Sequence, residues 1–72
     1  MASRAYLRIR KAAFGLLDTT PDCRLEFLAG FLYRELLQAA TSPDLVNPEL
    51  ARVMAVRTVE DWRRLRGKVA AT

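Results

Sequence analysis

The stretch from Thr20 to Ala40 constrains this chain more than any other segment. Thr20 followed by Pro21 is a helix-start signal, because a threonine side chain caps free backbone amides and proline fits the first helical turn. Apolar residues then recur at the spacing of one helical face: Leu25, Leu28, Ala29, Leu32, Leu36, Ala39 and Ala40. The stretch therefore predicts a helix of about five turns.

The opposite face of this helix also carries apolar side chains. Phe27, Phe31 and Leu37 fall in an arc that an ordinary surface helix leaves polar. The chain has only 72 residues, and a domain of that size buries only about 60% of its unfolded surface. We therefore expect this face to bind another protein chain. The partner-binding residues predicted on it are Phe27, Phe31, Tyr33 and Arg34, with the phenylalanines as anchors and the arginine as the charge-pairing group.

Composition excludes several kinds of chemistry. The chain has no histidine and one cysteine, so no Cys/His zinc site and no internal disulfide can form, and the commonest general base is missing. Asp22 and Glu26 are better interpreted as acids of a first helical turn than as a catalytic pair. Cys23 has no base beside it in sequence. We expect a protein that is not an enzyme and that uses no cofactor or metal.

Positive charge is concentrated at the two ends of the chain. The net charge is +4, yet residues 1–17 contain no acid, and the middle from Asp18 to Glu49 is net negative. This layout favours contact with an acidic surface, which can belong to a protein, a nucleic acid or anionic lipid. The predicted basic contact surface consists of Arg4, Arg8, Lys11, Arg63, Arg64 and Lys68.

Residues 1–17 predict a basic amphipathic helix. Tyr6, Ile9, Ala13, Leu16 and Leu17 share one side of it. An arginine-bearing segment without acids has the composition of a mitochondrial transit peptide, and the alternative is an ordinary packed helix with a solvated basic face. The expected location is mitochondrial, or otherwise cytoplasmic. No apolar run approaches the roughly 18 residues that a membrane span needs, so we expect no membrane-spanning helix.

The remaining signals predict a single all-α domain, residues 1–72, with three to four helices. A short connection at Asp18–Pro21 predicts an antiparallel hairpin of helices 3–17 and 21–40. Asn47 before Pro48 predicts a short helix over 48–56, with Leu50, Val53 and Met54 inward. Thr58, with Asp61 three residues on, approximates a capping box. It predicts a fourth helix over 59–69 whose inner side chains are Trp62, Leu65 and Val69.

Leu32-Tyr33-Arg34, continuing Glu35-Leu36-Leu37-Gln38-Ala39-Ala40, resembles the signature of the LYR-motif family. Members of that family are small basic helical proteins of mitochondria. They act as accessory subunits or assembly factors of respiratory complexes and iron–sulfur machinery, often bound to acyl carrier protein. The resemblance implies that Tyr33 and Arg34 lie at a partner contact, that Arg34 meets acidic groups, and that the helical core receives an acyl chain. The predicted function is a non-catalytic adaptor in a respiratory, ATP-synthase or mitoribosome type of assembly.

Residues 49–67 carry a second resemblance, to helix-turn-helix DNA-binding domains. The pattern runs through Leu50-Ala51, Met54, Val56, a cap at Thr58, then Trp62 and Leu65, provided that the turn carries one extra residue. It implies that basic groups of the last helix face phosphate. Acids at Glu60 and Asp61 would repel the backbone at the start of that helix. DNA binding is the alternative function, with nucleic acid as the partner.

Overall fold

The computed structural model describes residues 4–70 of the chain, with side chains described for residues 4–67. Helix α1 spans Arg4–Thr19, α2 spans Leu25–Ala39 and α3 spans Pro48–Ala70, with a short 3₁₀ helix at Pro43–Leu45. Residues 4–70 contain no strand. The prediction of an all-α fold is therefore confirmed.

Helix α1 follows its predicted amphipathic pattern. Ile9, Ala13 and Leu17, each four residues apart, are buried. Tyr6 is more exposed than predicted, at 42%. The N-terminal half of α1 lies beside the C-terminal half of α2, where Arg8 and Gln38 line the same surface hollow. The two helices therefore form the predicted antiparallel hairpin.

The predicted start of α2 at Pro21 is wrong, because the helix begins at Leu25. The backbone carbonyl of Thr20 accepts a hydrogen bond from the amide of Cys23 at 3.0 Å, which closes a turn before the helix. Arg24 then takes an extended conformation, with φ −68° and ψ 144°, and no side chain caps α2. Thr20 and Pro21 therefore build the connection rather than the first helical turn.

Helix α3 replaces the two helices predicted over 48–56 and 59–69. Its start is as predicted, since the Asn47 side-chain oxygen accepts a hydrogen bond from the Leu50 amide at 2.7 Å. The predicted cap at Thr58 is wrong. The Thr58 hydroxyl donates to the carbonyl of Met54 at 2.7 Å, so it is satisfied within the helix and no break is needed.

The inner side of α3 also differs from the prediction. Ala51 and Ala55 are buried, whereas Leu50 and Val53 are exposed and only Met54 of the predicted set packs against the core. Two alanines one turn apart let the backbones of α2 and α3 approach closely. Trp62 is half-buried against the core and Leu65 is exposed. The side chain of Val69 lies outside the described residues.

The three helices enclose one small core. Leu17 of α1 and Leu28 and Leu32 of α2 are its largest fully buried side chains. Helix α2 contacts both neighbours and packs most extensively against α3. The side of α2 that carries Leu28 and Leu32 is thus covered, and its opposite side faces solvent.

Candidate protein-binding surface

The solvent side of α2 carries an aromatic and charged patch, here called the outer face of α2. It consists of Glu26, Phe27, Gly30, Phe31 and Arg34, which line a shallow hollow of about 220 Å³. The Phe27 side chain is 63% exposed. The Phe31 side chain is half-buried against the core, and Arg34 is exposed. Such a face presents one protruding ring, one fixed ring and a cation side by side.

The structure divides the four residues predicted to bind a partner. Phe27, Phe31 and Arg34 lie together on the outer face. Tyr33 is half-buried and lies across Gly30 from them, in a second hollow between α2 and α3. That hollow is lined by Glu26, Ala29, Gly30, Tyr33, Pro48, Glu49 and Arg52. Binding of a partner by these residues stays a prediction.

Gly30 lies in both hollows, and packing within the chain does not explain it. A Cβ atom built on this glycine meets nothing within 4 Å. Its backbone is helical, and none of the described glycines has a positive φ. A glycine in mid-helix costs about 1 kcal/mol relative to alanine. No contact within the described part of the chain therefore offsets the destabilisation that Gly30 causes.

The predicted basic surface is gathered on α1 and dispersed on α3. Arg4, Arg8 and Lys11 are exposed along one side of α1 and form no ion pair with any described residue. Arg63 is likewise exposed, whereas Arg64 pairs with Asp61 at 2.9 Å. The Lys68 side chain lies outside the described residues. We call Arg4, Arg8 and Lys11 the basic strip of α1.

A polar cluster that the sequence pattern did not reveal joins α1 to α3. Asp18 accepts hydrogen bonds from the Trp62 indole nitrogen at 2.7 Å and from Arg66 Nε at 2.8 Å. A second Arg66 nitrogen donates to the other oxygen of Asp18, which makes the pair bidentate. Arg10 also reaches across the helices, to Asp61 at 3.1 Å. Trp62 thus has a polar partner as well as a packing role.

The cluster of Asp18, Trp62 and Arg66, here called the Asp18 cluster, is expected to make the stability of the fold depend on pH. The hydrogen bonds from Arg66 and then from Trp62 lower the pKa of Asp18, and Asp18 in turn raises the pKa of Arg66. A carboxylate whose pKa is lowered by folding stabilises the folded state above its unfolded pKa, about 3.9 for aspartate. That stabilisation is lost as the pH falls through the lower, folded value.

Asp18→Asn is therefore expected to lower stability at neutral pH and to differ less from the wild-type chain at about pH 3. The measurement is urea unfolding at both pH values, followed by fluorescence of Trp62, the single tryptophan. Asp44→Asn is the matched control, because Asp44 is exposed and forms no ion pair among the described residues. An equal difference at both pH values would contradict the role given to Asp18.

The helix-turn-helix interpretation of residues 49–67 is wrong in its geometry. That arrangement needs a turn between two helices, and the structure has one continuous helix from Pro48 to Ala70. The expected break at Thr58 falls at a buried position of α3. This segment therefore offers no separate recognition helix.

The described part of the chain holds neither a cluster of metal ligands nor a membrane-spanning helix. No three or more Asp, Glu or Cys side chains in the described part of the chain are grouped so that they could hold a metal ion. No helix within residues 4–70 is long and apolar enough to cross a membrane. Comparison of the chain with protein families, with curated proteins and with solved structures finds no match.

Proposed function

We propose that this chain is a non-catalytic helical adaptor, an accessory subunit that joins a larger protein assembly through the outer face of α2. The observation that carries the proposal is the exposure of Phe27, which is 63% exposed on that face. Burying a phenylalanine side chain contributes about 1.5–3 kcal/mol. Aromatic residues and arginine are also the types enriched at the energetic centres of protein interfaces.

The residues beside Phe27 favour a specific protein contact over a nonspecific apolar patch. Phe31 is held against the core, so its ring is a fixed platform beside the exposed Phe27 anchor. Arg34 is exposed at the same hollow and forms no ion pair within the described residues. A protein surface that offers an apolar pocket next to a carboxylate would satisfy both groups.

The basic strip of α1 supplies a second contact in this proposal. Arg4, Arg8 and Lys11 are exposed and unpaired among the described residues. Exposed charges steer association and are screened by salt, with a Debye length of about 8 Å at physiological ionic strength. The strip would guide the adaptor to an acidic region of the assembly, while the outer face of α2 fixes it.

The finer proposal places this adaptor in a mitochondrial assembly. It is supported by the acid-free basic composition of residues 1–17 and by the resemblance of Leu32-Tyr33-Arg34 to the LYR motif. Leu32 is buried, Tyr33 is half-buried and Arg34 is exposed, an arrangement that leaves the arginine able to meet acidic groups. Subunits of a respiratory complex, ATP synthase or mitoribosome, or acyl carrier protein, are the partners that this proposal names.

The proposal is tested by capture of the tagged full chain from the cells that make it, with bound proteins identified by mass spectrometry. Phe27→Ala is expected to reduce capture of the principal partner by roughly 30-fold, the effect of losing about 2 kcal/mol at an interface anchor. Its urea midpoint should stay close to that of the wild type, because Phe27 is outside the buried core.

Leu45→Ala is the matched control, since Leu45 is also a large exposed apolar residue, at 75%, on the 3₁₀ helix. It should capture the same partner as the wild-type chain. Equal loss in both variants, or unfolding of the Phe27→Ala chain, would contradict the proposed binding face.

A further inference from the structure

We infer that the outer face of α2 pairs with the same face of a second copy of this chain, in an antiparallel contact with two-fold symmetry centred on Gly30. The inference rests on the proposed function, because it takes the same face and names a second copy of this chain as the protein bound there. The pair then contacts the rest of the assembly through its basic strips on α1. Contacts of this kind require one surface to be complementary to itself.

Charge on the outer face meets that requirement. Glu26 lies four residues before Gly30 and Arg34 lies four residues after it. Both are exposed at the same hollow, and neither forms an ion pair within the described residues. The two-fold axis passes beside Gly30. A residue a given number of positions before the glycine in one copy therefore lies at the same height along the helix as the residue equally far after it in the other copy. Glu26 of each copy therefore meets Arg34 of the other.

The same charges exclude the parallel alternative. If two copies of α2 ran in the same direction with Gly30 at the centre, Glu26 would face Glu26 and Arg34 would face Arg34. Like charges set against each other across an interface are strongly unfavourable. Only the antiparallel arrangement pairs Glu26 of one copy with Arg34 of the other, and it forms this pair at both ends of the contact.

The aromatic rings fit the same symmetry. Phe27 lies three residues before Gly30, so in the pair it comes level with the turn that carries Phe31 and Arg34 of the second copy. That turn lines the hollow of about 220 Å³ on the outer face. The two-fold axis keeps all the phenylalanines on one side of the contact, so Phe27 and Phe31 of both copies form one row. The exposed Phe27 of each copy is thereby covered.

A close contact at the axis accounts for Gly30. Nothing in the described chain lies within 4 Å of a Cβ placed at this residue, so the glycine is not required by the monomer. Two helices that cross at a glycine bring their backbones together where any larger residue would hold them apart. The second copy fills the space that a side chain at position 30 would otherwise occupy.

Pairing would also double the basic strip of α1. Each copy presents its own Arg4, Arg8 and Lys11 on a helix other than the one that pairs. An adaptor with two identical strips binds an acidic assembly with higher avidity than one strip allows. Loss of pairing in Phe27→Ala would therefore also weaken capture of a third protein.

The test is sedimentation equilibrium of the purified full chain up to millimolar concentration, with circular dichroism to show that each variant is folded. The wild-type chain is expected to form dimers. Glu26→Arg and Arg34→Glu should each sediment as monomers at concentrations where the wild type is dimeric, because like charges then meet at both ends of the contact. An equimolar mixture of the two variants should restore the dimer, since one copy then carries two arginines and the other two glutamates.

A wild-type chain that stays monomeric at millimolar concentration overturns the inference. So does a wild-type dimer whose two charge variants fail to associate when mixed, because the contact is then elsewhere. If the chain is monomeric and Phe27→Ala still loses its captured partner, the proposed function stands with a different protein on the outer face. If Phe27→Ala captures as the wild type does, the proposed function fails independently of the sedimentation result.

Discussion

Leu28→Ala is expected to leave the isolated chain largely unfolded. Leu28 is fully enclosed in the core, and truncation of a buried leucine to alanine costs about 2–5 kcal/mol. A single core in a chain of this size rarely supplies more than about 3–5 kcal/mol of net stability. The expected loss is therefore comparable to the whole net free energy of unfolding of the domain. The measurement is helix content by circular dichroism, with urea unfolding of whatever folded fraction remains.

Leu45→Ala removes the same atoms from a side chain that is 75% exposed, so it serves as the control for Leu28→Ala. Its helix content and urea midpoint should stay near those of the wild type. If Leu28→Ala kept the wild-type midpoint, the core assigned to α2 would be wrong, and its other side would become the buried one.

Ala55→Leu is expected to lower stability by about 1–3 kcal/mol through overpacking. Ala55 is fully buried on α3, one turn from the equally buried Ala51, where α3 packs against α2. The added carbons would force the two helices apart or push a neighbour out of its preferred rotamer. Urea unfolding measures the effect, and the Trp62 signal reports on the α3 side of the core.

Ala12→Leu makes the same chemical change at an exposed position of α1 and should leave the midpoint nearly unchanged. Should Ala55→Leu prove as stable as the wild-type chain, the seam between α2 and α3 would have room for a larger side chain. The close approach of these two helices would then be wrong.

The fold class followed from sequence because the helical signals are local. Ile9, Ala13 and Leu17 recur at one-turn spacing, and the Asn47 side chain caps α3 as its position before Pro48 predicts. The errors at Thr20 and Thr58 share a different cause. Each threonine can form either of two hydrogen-bond arrangements. Thr20 can cap a helix or form part of a turn, and Thr58 can cap a helix or donate to the carbonyl one turn earlier. The packing of the neighbouring helices decides between them.

The inner side of α3 could not be predicted because apolar residues occupy more than one of its sides. Hydrophobicity alone favours Leu50 and Val53 over Ala51 and Ala55, whereas close packing against α2 needs the small side chains. The Asp18 cluster is not predictable from sequence for a related reason. Trp62 is 44 residues from Asp18 in sequence, and only the assembled bundle brings them together.

The candidate binding face was predicted in part. Helical geometry places Phe27 and Arg34 away from the core, as the structure has them. The predicted binding set also contains Phe31 and Tyr33, yet Phe31 is half-buried and Tyr33 lies across Gly30 from the outer face. Glu26 and Arg34 are equally spaced about Gly30, but this spacing indicates a contact between two copies only when the glycine is known to face solvent.

Photo-crosslinking from position 27 tests the central claim most directly, because it asks what touches the outer face of α2 inside the cell. A chain carrying Phe27→benzoylphenylalanine is irradiated in the cells that make it, and Leu45→benzoylphenylalanine gives the reference for another exposed apolar site. A discrete protein adduct is expected from position 27, either with a second copy or with another subunit, and none of comparable yield is expected from position 45. The absence of a protein adduct from position 27, or the same diffuse products from both positions, would contradict it.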